Sequence, residues 1–212
     1  PQWRGTDDQT AALRDRLPLW VSAALAALLL ALVHAGLSFA LNRRSDLTFS
    51  AILALRAQPQ RPAEPAAILD FGSGIGGSLP HLKDAFPGAG LTAFDVSERS
   101  LAIAQSRFPG VADFVHGADL GALGVRRFDL VFASCVFHHI DETLHVGLLA
   151  QLRGLLRPDG WLVVFEHNPV NPVTRYIVAT CPFDENAVLI PAGVLAAREK
   201  EAGFGKVETR FT

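Results

Sequence analysis

The sequence has few sulfur-containing residues. Cys135 and Cys181 are its only cysteines, and it contains no methionine. Two cysteines so far apart support neither a disulfide framework nor a zinc site built from four thiolates. We therefore expect reduced thiols, as in a cytosolic compartment. Because the first residue is Pro1 rather than methionine, we also expect the natural chain to begin upstream of it.

An excess of charge of either sign is also missing. The chain has 19 basic and 21 acidic side chains among 212 residues, which gives a formal net charge of -2. No strong overall field is then available to attract a polyanion, so we expect no nucleic-acid partner. The length fits one domain of about 100 to 200 residues with a further segment attached.

Charged residues are absent from residues 17–42, and this run is almost wholly apolar. It is long enough to cross a bilayer, which requires about 20 helical residues. Trp20 stands where an interfacial aromatic would lie, and Arg43 and Arg44 come directly after the run. We predict one long transmembrane-like helix at about residues 18–41, within an N-terminal segment of residues 1–57. The alternative is a helix buried in a soluble domain.

Three short stretches of this segment resemble the membrane anchor of the DotU/TssL family of type VI secretion proteins: Gln2-Trp-Arg-Gly5, Leu17-Pro-Leu-Trp20 and Leu37-Ser-Phe-Ala-Leu-Asn-Arg-Arg-Ser-Asp46. The resemblance covers about residues 1–56 and implies a location in the inner membrane but no catalytic role. We expect the domain C-terminal to this segment to face the cytoplasm. If the segment is an unrelated piece joined to the rest, the protein would instead be cytoplasmic.

The remainder begins after a proline-rich linker at residues 58–65, where each proline removes a backbone donor and restricts the residue before it. From residue 66 to residue 212, short apolar runs alternate with amphipathic stretches, which predicts an α/β domain with a doubly wound, mostly parallel sheet and helices on both faces. We predict strands at residues 66–71, 90–95, 112–116, 128–134, 160–166 and 206–211. We predict helices at residues 76–86, 97–107, 143–156 and 192–202.

A glycine-rich turn comes after the first predicted strand. Gly72 and Gly74 let the backbone approach a ligand without a Cβ in the way, and the next helix offers free N–H groups. The pattern also satisfies the dinucleotide fingerprint, with Asp95 as the acid at the end of the second strand. Asp70, directly before the turn, would repel a pyrophosphate but attract the ammonium and sulfonium groups of S-adenosylmethionine. Charge therefore favours S-adenosylmethionine over a nicotinamide dinucleotide.

Two further acidic residues contribute to this interpretation. The two oxygens of Asp95 can accept hydrogen bonds from both ribose hydroxyls, which either cofactor would supply. Asp119, after the third strand, can accept a hydrogen bond from the adenine amino group. It can equally serve as the N-cap of a helix.

Four blocks in order resemble the class I S-adenosylmethionine-dependent methyltransferases. They are Ile68-Leu-Asp-Phe-Gly-Ser-Gly74, Leu91-Thr-Ala-Phe-Asp-Val-Ser97 with Leu101-Ala-Ile-Ala104, Phe128-Asp-Leu-Val-Phe-Ala-Ser134 leading to Phe137-His-His-Ile140, and Leu155-Leu-Arg-Pro-Asp-Gly-Trp-Leu-Val-Val164. The resemblance covers about residues 66–212 and implies a Rossmann-like fold. It implies these cofactor-binding residues: Asp70, Gly72, Gly74, Asp95, Val96, Asp119, Ala133 and Ser134. Residues 165–172 and 180–187 are similar to a subgroup of small bacterial methyltransferases of unassigned acceptor.

The sulfonium methyl is already activated, so in-line displacement requires chiefly that the acceptor be held close and aligned. A hydroxyl acceptor must also lose a proton, and the candidates for a general base are His138, His167 and Glu166, with His139 beside them. For each of these, packing or backbone orientation is the alternative role. His167 with Cys181 provides too few ligands for a metal site, so we predict no metal.

The sequence thus predicts a methyltransferase acting on a small molecule or on a lipid or saccharide precursor of the cell envelope. The alternatives are an NAD(P)-dependent oxidoreductase and a secretion-apparatus anchor with an inactive attached domain. In the resembling fold the sheet ends with a hairpin, but Thr212 comes directly after the sixth predicted strand. We therefore expect the last strand to be missing through C-terminal truncation, which would leave unpaired sheet edges.

Overall fold

The computed structural model of the protein describes residue 52, residues 64–181 and residues 184–211. The chain divides into two units, Pro1–Arg43 and Arg44–Thr212, and all described residues belong to the second. Apart from residue 52, the predicted membrane helix, the anchor-like segment and the linker as far as residue 63 lie outside the described residues. Within the described ranges, no helix combines the length and the apolar character needed to cross a membrane.

Five parallel strands form one sheet in the order β3-β2-β1-β4-β5. The strands are β1 at Ala67–Phe71, β2 at Gly90–Asp95, β3 at Asp113–His116, β4 at Phe128–Ser134 and β5 at Leu156–Phe165. The order reverses between β1 and β4, and in open parallel sheets ligands bind beside such a reversal, at the carboxyl ends of the strands. The predicted parallel α/β sheet is confirmed.

Five helices connect or follow these strands: α1 at Leu79–Ala85, α2 at Glu98–Arg107, α3 at His145–Leu155, α4 at Pro172–Thr180 and α5 at Ala192–Glu201. Short 3₁₀ helices lie at Leu120–Leu123, Phe137–His139 and Glu142–Leu144. Side chains define two of the helix starts. Ser97 Oγ accepts a hydrogen bond from Ser100 N at α2, and Asn171 Oδ1 accepts one from Val173 N at α4.

Separate hydrophobic cores cover the two faces of the sheet. Ile68 of β1 packs in one core with Leu82 of α1 and Leu101 of α2. Its neighbour Leu69 packs in the other with Leu149 of α3 and Leu195 of α5. Successive strand residues point to opposite faces, so a strand buried on both sides must be continuously apolar. This arrangement confirms the predicted doubly wound fold with helices on both faces.

The predicted strand at residues 206–211 is wrong, because this segment has no regular secondary structure. Its alternating pattern is typical of a half-buried strand, but Phe211 is 71% exposed. The Lys206 ammonium lies 2.8 Å from a carboxylate oxygen of Glu208 in the same segment. A strand is stabilised by a ladder with a neighbour, and these residues form none with the described sheet.

Strand β4, an interior strand of the sheet, provides a test of the core that contains α1 and α2. Phe132 of β4 is fully buried in the core that contains α1 and α2. We expect Phe132→Ala to lower the free energy of unfolding by about 3 to 5 kcal/mol, because it removes buried apolar surface and leaves a cavity. Urea denaturation measures this loss. Val125→Ala is the matched control, because Val125 is 93% exposed and its replacement should change stability by less than about 0.5 kcal/mol. Equal effects of the two substitutions would contradict the assigned core.

Candidate functional site

The ends of β1 and β2 form the first part of the site. Asp70 and Phe71 pair with Ala93 and Phe94, which places Asp95 at the tip of the neighbouring strand. The turn after β1 is tied to this tip, since Gly72 N and Ser73 N both donate to Phe94 O, at 2.9 and 3.0 Å. Gly74 N also donates to Asp95 Oδ2, at 2.7 Å. The structure therefore brings together Asp70, Gly72, Gly74 and Asp95.

Glycine is required at the first position of this turn. Gly72 has φ of +70°, and a Cβ placed on it would lie 2.6 Å from Val136 Cγ2. That distance is far below any ordinary contact, so a side chain here would displace the loop after β4. The bare backbone of Gly72 thus allows the turn after β1 and the loop after β4 to approach each other closely.

Asp70 is almost completely buried, with 1% of its surface exposed. Burial raises the pKa of its carboxyl to about 7, a hydrogen bond with Ser78 opposes this rise, and the charge of Asp95 adds to it. Its Oδ2 atom has no hydrogen-bond partner among the described residues. Buried carboxylate oxygens are normally paired with a donor, so Asp70 is suited to receive a cationic group from a ligand.

Asp95 is half-buried and already accepts two backbone hydrogen bonds. Oδ1 accepts from Ser97 N at 2.8 Å, and Oδ2 accepts from Gly74 N. A carboxylate can accept about four hydrogen bonds, so each oxygen of Asp95 can accept one more. The two oxygens together can therefore bind a pair of hydroxyl groups. The adjacent Val96 is 66% exposed, as expected for a residue beside a ligand rather than in the core.

The other predicted cofactor residues differ in their surroundings. Asp119 Oδ1 accepts a hydrogen bond from Gly121 N at 2.7 Å and caps a 3₁₀ helix, which is the structural alternative considered for it. Ala133 is fully buried in the sheet, where it pairs with Phe71. Ser134, the last residue of β4, is half-buried. Cofactor contacts by these three residues stay predictions.

Glu166, directly after β5, holds the loop after β4. Its Oε1 accepts hydrogen bonds from Val136 N at 2.9 Å and from Phe137 N at 2.7 Å. Its Oε2 lies 2.5 Å from His138 Nδ1. With both oxygens engaged, Glu166 orients the backbone, which was the alternative to its predicted catalytic role.

His138 is buried between two carboxylates. Its Nδ1 faces Glu166, and its Nε2 lies 3.6 Å from Asp184 Oδ1. Burial opposes protonation, but the two neighbouring carboxyl groups, those of Asp184 and Glu166, outweigh it and raise the pKa of His138 to about 9. Because both ring nitrogens face carboxylates, this geometry does not favour the predicted role of His138 as a general base.

His167 is also buried, and its Nε2 lies 3.6 Å from the Sγ atom of Cys135. Its ring centroid is 5.3 Å from that of His138. Cys135 has φ of +58°, a conformation that non-glycine residues rarely adopt and that is often found near functional sites. This contact joins His167 to a residue 32 positions away in the sequence.

Asp184 is a functional candidate that sequence reasoning missed. It is 4% exposed, and its Oδ1 lies 3.6 Å from His138 Nε2 and 3.5 Å from His139 Nε2. It also lines a cavity of about 590 Å³, together with Arg175, Thr180 and other residues between positions 175 and 189. The only sequence signal was its position in the segment 180–187, which resembles a methyltransferase subgroup.

Comparison with known proteins shows similarity to methyltransferases. A family model described as "Methyltransferase domain" matches residues 69–162. A trans-aconitate 2-methyltransferase from Methylobacterium nodulans is 31% identical over 155 residues, which cover 71% of this chain and 57% of the relative. A malonyl-[acyl-carrier protein] O-methyltransferase from Halalkalibacterium halodurans is 32% identical over 114 residues, which cover 50% and 41%. The chain thus spans about half the length of these relatives.

Solved structures share the fold at low sequence identity. An O-methyltransferase family protein from Burkholderia thailandensis has a TM-score of 0.63 at 17% identity, with 81% of this chain and 55% of that chain covered. A methyltransferase of calicheamicin biosynthesis, solved with S-adenosylhomocysteine bound, has a TM-score of 0.57 at 20% identity, with 74% and 47% covered.

None of these findings supports the resemblance of residues 1–56 to the DotU/TssL anchor, or a membrane or lipid partner, and the cellular location stays a prediction. Residues 69–162 match a methyltransferase domain, and the curated relatives and the solved structures named here are methyltransferases to which this chain is similar.

Proposed function

We propose that this chain transfers the methyl group of S-adenosylmethionine to an oxygen atom of a small-molecule acid. The observation that carries the methyl-donor part is the buried Oδ2 of Asp70, which has no hydrogen-bond partner among the described residues and lies beside the glycine turn and Asp95. A pyrophosphate would meet two carboxylates here, whereas the methionine part of S-adenosylmethionine carries an ammonium and a sulfonium. The electrostatics of the cleft therefore support the sulfonium cofactor.

Each part of this cofactor has a candidate partner. Asp70 would hold the ammonium group, the bare backbone at Gly72 and Gly74 would lie against the ligand, and the remaining acceptor positions of Asp95 would take the ribose hydroxyls. When bound, the cofactor supplies an activated methyl group. The contribution of the protein is then to exclude water and to align the acceptor oxygen with that methyl group.

Two observations support an acid as the acceptor. The curated relatives include methyltransferases named for trans-aconitate and for a malonyl group, both of which carry carboxylates. In addition, both ring nitrogens of His138 face Glu166 and Asp184, so His138 is not turned toward an acceptor. A carboxylate acceptor is already ionised near neutral pH and needs no general base.

The cavity beside Asp184 has the size of a small-molecule site. Its volume of about 590 Å³ falls within the range of about 300 to 1,000 Å³ that is typical of such pockets. Arg175 and Thr180 in its lining offer a positive charge and a hydroxyl group, beside the carboxyl groups of Asp184 and Glu185. We propose that the acceptor binds in this cavity with its own carboxylate directed toward Arg175.

Removal of the ribose-binding carboxylate tests the cofactor assignment. We expect the folded chain to bind S-adenosylhomocysteine with micromolar affinity in titration calorimetry. Asp95→Ala should weaken binding on the order of 100-fold or more, because two hydrogen bonds to a charged acceptor are lost. Asp84→Ala, an exposed aspartate on α1, is the control and should bind like the wild type. Failure of the folded wild type to bind would refute the proposal.

The pH dependence of binding tests Asp70. Its pKa of about 7 leaves it largely protonated at pH 6, and a cationic ligand must first displace that proton. Affinity for S-adenosylhomocysteine should therefore fall as pH decreases and be about tenfold weaker at pH 6 than at pH 8. Asp70→Asn should bind more weakly and lose this slope. Equal slopes in the wild type and the variant would assign the pH effect to another group.

The chemical stability of the product tests the acceptor class. With radiolabelled S-adenosylmethionine and a panel of di- and tricarboxylic acids, we expect methyl esters, which release methanol on treatment with alkali. Methyl ethers formed from alcohols would not release it. The Asp95→Ala variant should give neither product above background. A product that is stable to alkali would exclude a carboxylate acceptor while leaving the cofactor assignment intact.

A further inference from the structure

Three side-chain atoms converge beside the loop after β4. They belong to His138, His139 and Asp184, and one potential ligand atom of each lies within 4.8 Å of the other two. The two histidines are adjacent in sequence, whereas Asp184 comes from the segment after α4. The cluster lies apart from Asp70 and Asp95 in sequence, and its Asp184 lines the cavity proposed for the acceptor.

Distances within the cluster are long for hydrogen bonds. Asp184 Oδ1 lies 3.6 Å from His138 Nε2 and 3.5 Å from His139 Nε2, whereas N–H···O bonds span about 2.7 to 3.2 Å. They match the edges of a coordination tetrahedron instead. Metal bonds of about 2.1 Å at tetrahedral angles separate neighbouring ligand atoms by about 3.4 Å.

His138 is oriented as a metal ligand would be. A metal ion would displace one proton from the ring, and Nδ1 would then donate to Glu166 Oε2 and leave the lone pair of Nε2 for the ion. The Nε2 atom is buried and has no hydrogen-bond partner among the described residues. Histidine ligands almost always donate their second ring nitrogen to a carboxylate or carbonyl group in this way, because that bond fixes the tautomer and the orientation of the ring.

We propose that His138, His139 and Asp184 bind a divalent first-row transition metal ion such as Zn²⁺, with Glu166 orienting His138 from outside the coordination sphere. Two histidines and one carboxylate form a recurring ligand set for such ions. Three protein ligands leave a fourth position open. Because Asp184 also lines the cavity of about 590 Å³, the ion would lie at the wall of that cavity.

Zinc binding to the whole chain tests the proposal directly. After treatment with a chelator, the protein should bind one equivalent of Zn²⁺ in titration calorimetry. Co²⁺ should give the visible absorption of a four-coordinate site with nitrogen and oxygen ligands. His139→Gln and Asp184→Asn should each lower Zn²⁺ affinity on the order of 100-fold, and Glu166→Gln should lower it about 10- to 100-fold. His81→Gln, on α1, is the matched histidine control and should bind like the wild type.

Folding is monitored separately by circular dichroism. The His139 side chain is 38% exposed, so His139→Gln should keep the fold even if Asp184→Asn does not. Stoichiometric Zn²⁺ binding that is unchanged in His139→Gln, or no binding by the folded wild type at about 100 μM Zn²⁺, would overturn the proposal. Neither result depends on S-adenosylhomocysteine binding, so failure of this site and failure of the proposed methyltransferase activity are distinguishable.

Discussion

The hydrogen bond from Gly74 N to Asp95 Oδ2 fixes the geometry on which the cofactor site depends. It joins the turn after β1 to the tip of β2, and the parallel register of the two strands sets where that tip lies. Gly72 and Gly74 of the turn both have positive φ, so the chain can reach Asp95 without the strain that a side chain would impose. Asp70, at the base of the turn, is thereby held next to Asp95 although both are acidic.

Two buried carboxylates, those of Glu166 and Asp70, serve different purposes in this molecule. Glu166 accepts three hydrogen bonds, from two backbone amides and one imidazole, and so stabilises a defined loop. Asp70 keeps an oxygen without a partner among the described residues, and burial raises its pKa to about 7. A satisfied buried carboxylate is a structural element, whereas an unsatisfied one retains binding energy for a ligand. The contrast distinguishes a residue that positions the site from one that can bind within it.

The local sequence pattern predicted the elements that form the cofactor cleft, because the apolar strand, the acidic residue and the glycines are adjacent in the sequence. Strand β4 occurs at the predicted residues 128–134. Helix α4 is not predicted from the sequence, because its many β-branched residues favour strands. The helix begins there because Asn171 caps it and Pro172 occupies its first turn. The pairing of His138 with Asp184, 46 positions apart, depends on tertiary packing that no local spacing encodes. The strand expected at residues 206–211 required a neighbour that local alternation cannot supply.

The loop after β4 connects the proposed cofactor site with the proposed metal site. Val136 lies so close to Gly72 that a Cβ there would meet its side chain at 2.6 Å, and Val136 N donates to Glu166. Two residues later, His138 faces both Glu166 and Asp184. Any displacement of this loop would therefore alter the packing against the glycine turn and the arrangement of the metal ligands together. Glu166, which holds three consecutive residues of the loop, is the side chain through which the two sites are mechanically linked.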